Sequence, residues 1–312
     1  MILPSYKGST LRGGFGHAFR RVVCAIKSKE CPACILKERC VYSYIFETPP
    51  PPDTKIMRKY RAAPHPFVIE PPPERRRGYK PGDEITFGLT LIGRAIDYLP
   101  YFIYTFDELG RIGLGKGKAK YELMTVKTIP ALAKGGRGDL ETSGIIYDSK
   151  TKTLKTFIPQ SFSISFNHSD SSPESPHSHL TLSFETPARI VYNGHLTIDL
   201  EFHILIRNLM RRLSLLSYFH CNSDPSVWDF KGIIKKAQEV KVSDRALRWH
   251  DWERYSARQD SRMKMGGFTG EVAFEGDIQP FMDLIRAGEV LHVGKGTSFG
   301  LGKYGIVRDV SG

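Results

Sequence analysis

The stretch IDLEFHILIRNLMRRLSLLSYFHC, Ile198 to Cys221, decides the reading of the second half of the chain. Phe202, Leu205, Ile206, Leu209, Leu213 and Leu216 recur at helical spacing and predict a single buried stripe. Arg207 and Arg211 fall on the other side, one turn apart, and His220 prolongs the apolar stripe, as a core or helix-end histidine would. Just before this helix, LTLSFETPARIVYNG (180–194) reads as a strand or hairpin. Beyond it, WHDWERYSARQD (249–260) and GGFTGEVAFEG (266–276) read as two strands with a basic loop, SRMKMGG, between them. GDIQPFMDLIRAGE (276–289) is expected to be a short helix, with Asp277 near its start and Gly288 just past its end. LHVGKGTSFGLGKYGIV (291–307) closes as strand, glycine loop and strand. The order is β-α-β-β-α-β, that of a ferredoxin-like unit.

The first half gives α-β-β-α-β. Residues 9–28 form a helix that Ser9 or Thr10 can cap, with Leu11, Phe15, Ala18, Phe19 and Val22 on one stripe. His17, Arg20, Arg21, Gly13 and Gly16 are expected away from that stripe, on a face a phosphate could approach. Each glycine weakens a helix by roughly 1 kcal/mol against Ala, so their presence calls for a reason. Strands follow in PHPFVIEPP and DEITFGLTLIG, then a helix at YLPYFIYTFDELG and a strand at KAKYELMTVKTI. The fold class expected is therefore α+β, two tandem ferredoxin-like domains, with the first strand of the N-terminal one missing. The divisions are 1–128, 129–180 for a polar hairpin and linker region, and 181–312. His168, His177 and His179 in the polar region read as a solvated loop, or as a loose metal cluster.

Charge narrows the function. Of 312 residues, 45 are Lys or Arg and 33 Asp or Glu, a formal net charge of +12. That excess biases a protein towards polyanions, nucleic acid first, though a basic surface without a partner is the plain alternative. With 40% hydrophobic residues the chain can bury a core, so global disorder is not expected. The start has no apolar leader and no run reaches membrane-spanning length, so a cytoplasmic protein without a membrane partner is expected.

Four of five cysteines, Cys24, Cys31, Cys34 and Cys40, crowd into CAIKSKECPACILKERC with spacing C-x6-C-x2-C-x5-C. In a reducing compartment this points to a metal and not to disulfides. Four thiolates satisfy tetrahedral zinc, in a structural site with no open position. An iron–sulfur cluster uses the same ligands, and unmetallated cysteines are the third reading. Lys27, Lys29, Lys37 and Arg39 would offset the thiolate charge.

The C-terminal loop GKGTSFGLGK matches neither a phosphate-binding Walker loop nor a dinucleotide fingerprint. It reads as a glycine-rich hairpin, or as a loop whose backbone N–H groups, with Lys295 and Lys303, meet a nucleic-acid backbone. In the second reading Gly294, Gly296, Gly300 and Gly302 are contact positions.

Four stretches in order carry a resemblance: YKGSTLRGGFGHAFRR with the cysteines and FETPPPP after it; GDEITFGLTLIGRAIDYLPYFIYTFDELGRIGLG; RYSARQDSRMKMGGFTGEVAF; and GKGTSFGLGKY. Together they resemble the RAMP superfamily of CRISPR-associated proteins, in its branch of pre-crRNA-processing endoribonucleases. The resemblance implies binding of CRISPR repeat RNA, a role in antiviral defense, and a single cut that needs no metal. The RNA's own 2′-OH attacks the adjacent phosphate and leaves a 2′,3′-cyclic phosphate and a 5′-OH. Catalytic histidines of this branch sit on the first helix, which here matches His17, with Lys7, Arg20 or Arg21 to stabilise the phosphate. Arg12, Arg254, Tyr255 and Arg258 are further RNA contacts, His292 and His250 lesser catalytic candidates, and Tyr6 the only early tyrosine. Other CRISPR effector subunits and a homodimer are possible partners. Two other readings stand beside the nuclease: a non-catalytic RAMP subunit that coats crRNA in an effector complex, and a zinc-stabilised scaffold protein.

Overall fold

In the computed structural model the described residues are 1–27, 30–51, 54, 62–129, 144–161, 164, 179–256 and 261–307; for 254–256 and 261–263 only the backbone is described. The chain divides into two compact units. One is Met1–Gln160 with Leu215–Ser223, the other Ser161–Ser214 with Asp224–Gly312.

The first unit runs α1 (Gly8–Val23), β1 (Phe67–Glu70), β2 (Gly88–Leu91), α2 (Leu99–Ile112), β3 (Thr125–Lys127), β4 (Ile145–Asp148) and β5 (Thr153–Leu154). This is the predicted α-β-β-α-β order, with a short hairpin added. β1 pairs antiparallel with β2, whereas β3 pairs with β4, which pairs in turn with β5. In a ferredoxin-like sheet the last strand pairs with the first, so without an opening strand in this sheet β3 has no place beside β1 and β2. Among the described residues no strand precedes α1. Ile2 instead makes one bridge to Gly78, with Leu3 N–H donating to the Arg77 carbonyl at 2.8 Å.

The core of this unit is aromatic. Phe15 stacks on Phe102 and meets Phe106, with ring centroids 4.9 and 4.7 Å apart. Phe46, from the helical turn Ser43–Glu47, packs on Phe15 and Phe67. The glycines of α1 find their reason here. A Cβ at Gly16 would come within 2.7 Å of the Phe46 ring, and one at Gly14 within 3.2 Å of Leu109 and Leu114. Gly16 is buried, so the expectation of an open glycine face is corrected to Gly13 alone, around which there is free space. The N-cap is Lys7, without a side-chain cap, and not Ser9 or Thr10; the helix ends at Val23.

The second unit holds β6 (His179–Ala188), β7 (Val191–Tyr192), β8 (His195–Leu196), α3 (Phe202–His220) as far as Ser214, its last six residues belonging to the first unit, then α4 (Phe230–Ala237), β9 (Lys241–His250), β10 (Glu253–Ser256), β11 (Ser261–Lys264), β12 (Gly267–Glu275), α5 (Met282–Leu291) and β13 (Tyr304–Val307). Its main sheet has the order β13-β6-β12-β9, antiparallel throughout, which is the ferredoxin-like arrangement. Alternation seats Leu180, Leu182 and Phe184 of β6 in the core. On the helical side, Phe202 of α3 meets Phe274 of β12 and Phe281, each at 5.1 Å. Gly288 of α5 lies against Leu209 of α3 and Tyr304 of β13, where a Cβ would strike both. The second strand begins at Lys241, earlier than the sequence reading placed it, and SRMK is strand β11, not a loop. β9 forms the outer edge of the sheet, and most of its side chains are exposed.

Candidate functional site

α1 presents the first cluster. Its buried stripe of Leu11, Phe15, Ala18 and Phe19 fixes the rotation of the helix, and that rotation places His17 and Arg21 on the exposed side, four residues apart. Gly13, one turn before His17, leaves its surroundings open. Arg20 is half-buried, with its guanidinium 5.6 Å from the centre of the Tyr42 ring. Arg12 turns away from His17. It lies over the Phe46 ring at 5.1 Å, with Nη2 2.8 Å from His65 Nε2.

Lys7 does not join this cluster. It is fully buried, and its ammonium donates to the carbonyl oxygens of Glu74 at 2.8 Å and Ser5 at 3.4 Å. Burial pulls its pKa down, and the Glu74 charge only partly opposes that. Ten residues of helix also separate it from His17, about 15 Å along the axis. The expectation that Lys7 meets a phosphoryl oxygen is therefore corrected: the ammonium is committed to backbone oxygens. Tyr6 is half-buried and its phenol is held neutral, by burial first and the charge of Glu70 second.

The glycine loop of the second unit also differs from expectation. Gly294, Gly296, Gly300 and Gly302 all have positive φ, between 74° and 84°. Each serves a turn or a close approach: a Cβ at Gly294 would sit 2.6 Å from the Arg189 carbonyl oxygen, and one at Gly302 would strike that of Val293. The amides are largely committed within the unit. Lys295 donates to Arg189 at 3.0 Å, Gly300 to Thr297 at 2.8 Å and Gly302 to Pro187 at 3.1 Å. Gly300 and Gly302 are buried. Their assignment as RNA contacts is corrected to a structural role, which leaves Gly294, Lys295 and Gly296 at the surface of the loop. Lys303 faces Glu185, with Nζ 3.4 Å from the carboxylate.

The remaining candidates separate. His292 is fully buried, with Nδ1 3.2 Å from the Leu301 carbonyl oxygen, and His250 is exposed at the end of β9. His220 is a buried core histidine: Nδ1 lies 3.2 Å from the Tyr44 hydroxyl and Nε2 2.8 Å from the Pro64 carbonyl oxygen. Arg254 and Tyr255 lie on β10, paired with Met263 and Arg262, while Arg258, His168 and His177 lie outside the described residues. The sequence reading missed Arg94, stacked 4.5 Å over Tyr44, and Arg248 beside the exposed Trp249 on β9. Eight of the ten side chains of β9 are exposed, so this pair stands on an open strand surface for which alternation gives no signal.

Cys24, Cys31, Cys34 and Cys40 are free thiols, each half-buried, and line one small cavity with Lys37, Tyr42 and Ser43. Burial pushes the Cys31 thiol pKa up, and Arg20 opposes the shift. No helix among the described residues is long and apolar enough to cross a membrane.

Comparison with known proteins adds four findings. Residues 1–157 match the family AF_1859_N, described as an N-terminal domain. Residues 182–304 match the family described as CRISPR-associated endoribonuclease Cas6. An uncharacterized protein of Archaeoglobus fulgidus is 24% identical over 307 residues, covering 97% of this chain and 92% of its own. Among solved structures, a Cas6 product complex from Thermus thermophilus is similar in fold, with a TM-score of 0.52 and 15% identity, over 98% of this chain and 96% of the other.

Proposed function

We propose that this chain, which belongs to the AF_1859_N family through its N-terminal domain and matches the Cas6 endoribonuclease family over residues 182–304, is an endoribonuclease that matures CRISPR repeat RNA. The observation that carries the proposal is the exposed pair His17 and Arg21 on one face of α1, with open space at Gly13 beside it. A net charge of +12 supplies the attraction to a polyanion.

The reaction proposed is transesterification. The 2′-OH attacks the adjacent phosphorus, the bond from phosphorus to the 5′ oxygen breaks, and a 2′,3′-cyclic phosphate and a 5′-OH remain. A base takes the 2′-OH proton and an acid supplies one to the leaving oxygen. Histidine suits either step near neutral pH, and His17 takes one of them. The Arg21 guanidinium, always charged, meets the growing charge on the phosphoryl oxygens. The chemistry calls for no metal, and it cuts RNA while sparing DNA because DNA has no 2′-OH.

Labelled repeat RNA incubated in EDTA tests this. Cutting by the parent, none on a substrate with a single 2′-deoxy at the scissile position, and collapse in His17→Ala are the expected results. A specific observation favours a second reading, an RNA-binding RAMP subunit without cleavage. With Lys7 buried, His17 is the one imidazole on its face of α1, whereas the reaction needs both a base and an acid. Tight binding of repeat RNA with no cut products would establish that reading over the nuclease.

A further inference from the structure

The cysteine segment lacks what normally holds a loop of its size. Ile26, Ile35 and Leu36 are 47, 89 and 40% exposed, so none of them anchors it in a core. Its order rests on turns: Cys34 N–H donates to Cys31 O at 3.2 Å, and Lys37 N–H to Cys34 O at 3.1 Å. Fixing such a segment costs roughly 1–2 kcal/mol of backbone entropy per residue, and no apolar burial offsets it.

The four thiols come from three places. Cys24 is the C-cap of α1, its N–H donating to Arg20 O at 3.0 Å. Cys31 and Cys34 bracket the central turn. Cys40 enters the next helical turn, its carbonyl accepting from Tyr44 N–H at 2.9 Å. All four line one cavity, and among the described residues no His, Asp or Glu lines it. We propose that this cavity is a structural zinc site, in which Cys24, Cys31, Cys34 and Cys40 bind one ion and so pin the end of α1 to the turn and to the helix after it.

The donor set fits. Four sulfurs, with no carboxylate among the described residues that line the cavity, favour a borderline-soft ion held tetrahedrally, with no position left for substrate. Four thiolates around a dication leave two negative charges, and Lys37 at the cavity wall opposes them. Among the described residues no three ligand-type side chains are already closed around a point. The ion therefore draws the turn together as it binds, with release of the thiol protons, so that metal binding and local folding are one event. The site acts on the helix that carries His17 and Arg21 without touching either, so it stands independently of the nuclease reading.

The test uses the full chain, purified without chelator, with zinc and iron measured by elemental analysis. About one zinc per chain is expected in the parent and in Cys221→Ser, and less than about a tenth of that in the double variant Cys31→Ser/Cys34→Ser. Cys40→His should keep the metal, because imidazole replaces thiolate as a ligand. Should the double variant not fold, two measurements on the parent decide: a cobalt-loaded sample should show thiolate-to-cobalt charge transfer, and chelation should speed tryptic cleavage between Cys24 and Cys40 about tenfold or more. A metal-free parent whose thiols all react freely, iron with acid-labile sulfide, or cysteines paired as disulfides would each overturn the proposal.

Discussion

The Nε of the buried Arg212 donates to the carbonyl oxygen of Leu291 across 2.7 Å, and so ties the middle of α3 to the last turn of α5. A cation at the C-terminal end of a helix meets the negative end of its dipole. Dryness works against it: burial pulls the Arg212 pKa down to about 9.

Arg212 is thus a costly bond, and shape should matter more than charge at this position. Arg212→Met should leave unfolding free energy unchanged or raise it by about 1–4 kcal/mol, as other buried ions do when a well-packed apolar residue replaces them. Arg212→Ala, which leaves a void, should lower it by about 2–5 kcal/mol. Urea titrations of both variants check this, and a large loss with Met would show that the hydrogen bond outweighs desolvation.

His17 and Arg21 share a face but should fail differently. His17→Ala should lower the cleavage rate by about 10²–10⁴ with little change in repeat-RNA affinity. Arg21→Ala should weaken binding as well, and reduce the slope of log affinity against log salt by about 0.7, the value for one phosphate contact on a single strand. Single-turnover kinetics beside filter binding separates the two.

Lys7 should show itself in stability and not in cleavage. Its folded pKa is lowered by burial, so the unfolded state holds the proton more tightly. The stabilising trend therefore grows as pH rises through the lowered folded value towards the ordinary lysine pKa, and is lost as pH falls below it. Unfolding of the parent and of Lys7→Met between pH 7 and 10 should diverge in that direction. A single-turnover cleavage rate unchanged in Lys7→Met would confirm that Lys7 takes no part in the chemistry.

In the glycine loop, structure and contact should separate in the same way. Gly302→Ala places a Cβ against the Val293 carbonyl at a φ of 74°, and should lower unfolding free energy by more than about 1 kcal/mol. Lys295→Ala, at an exposed position, should change stability by less than about 0.5 kcal/mol while weakening RNA binding. Thermal melts paired with RNA titrations test both, and an RNA affinity untouched by Lys295→Ala would remove this loop from the interface.

Much of the fold was legible because it is written in periodicity. The stripe of α3 and the alternation of β6 place their own buried faces, and the ferredoxin-like order follows from them. What escaped depends on contacts made far along the chain. Gly16 is silent until Phe46 comes to lie over it, and Lys7 looks like a surface cation until Glu74 closes on it. The glycines of the last loop show the same limit. Their spacing reports tight geometry, but not whether the amides so exposed turn outward to a ligand or inward to Arg189, Thr297 and Pro187.

β9 bears on how the protein behaves in a crowded solution. Ten residues long at the margin of its sheet, it offers a row of backbone donors and acceptors on which the strand of another molecule could lie. What guards it is charge: Lys241, Asp244, Arg245 and Arg248 stand along it, and Arg245 is already paired with Glu201 at 2.7 Å. Solubility at high concentration therefore depends on a few side chains outside any core, and neutralising them would invite strand-to-strand self-association in a chain whose interior is unchanged.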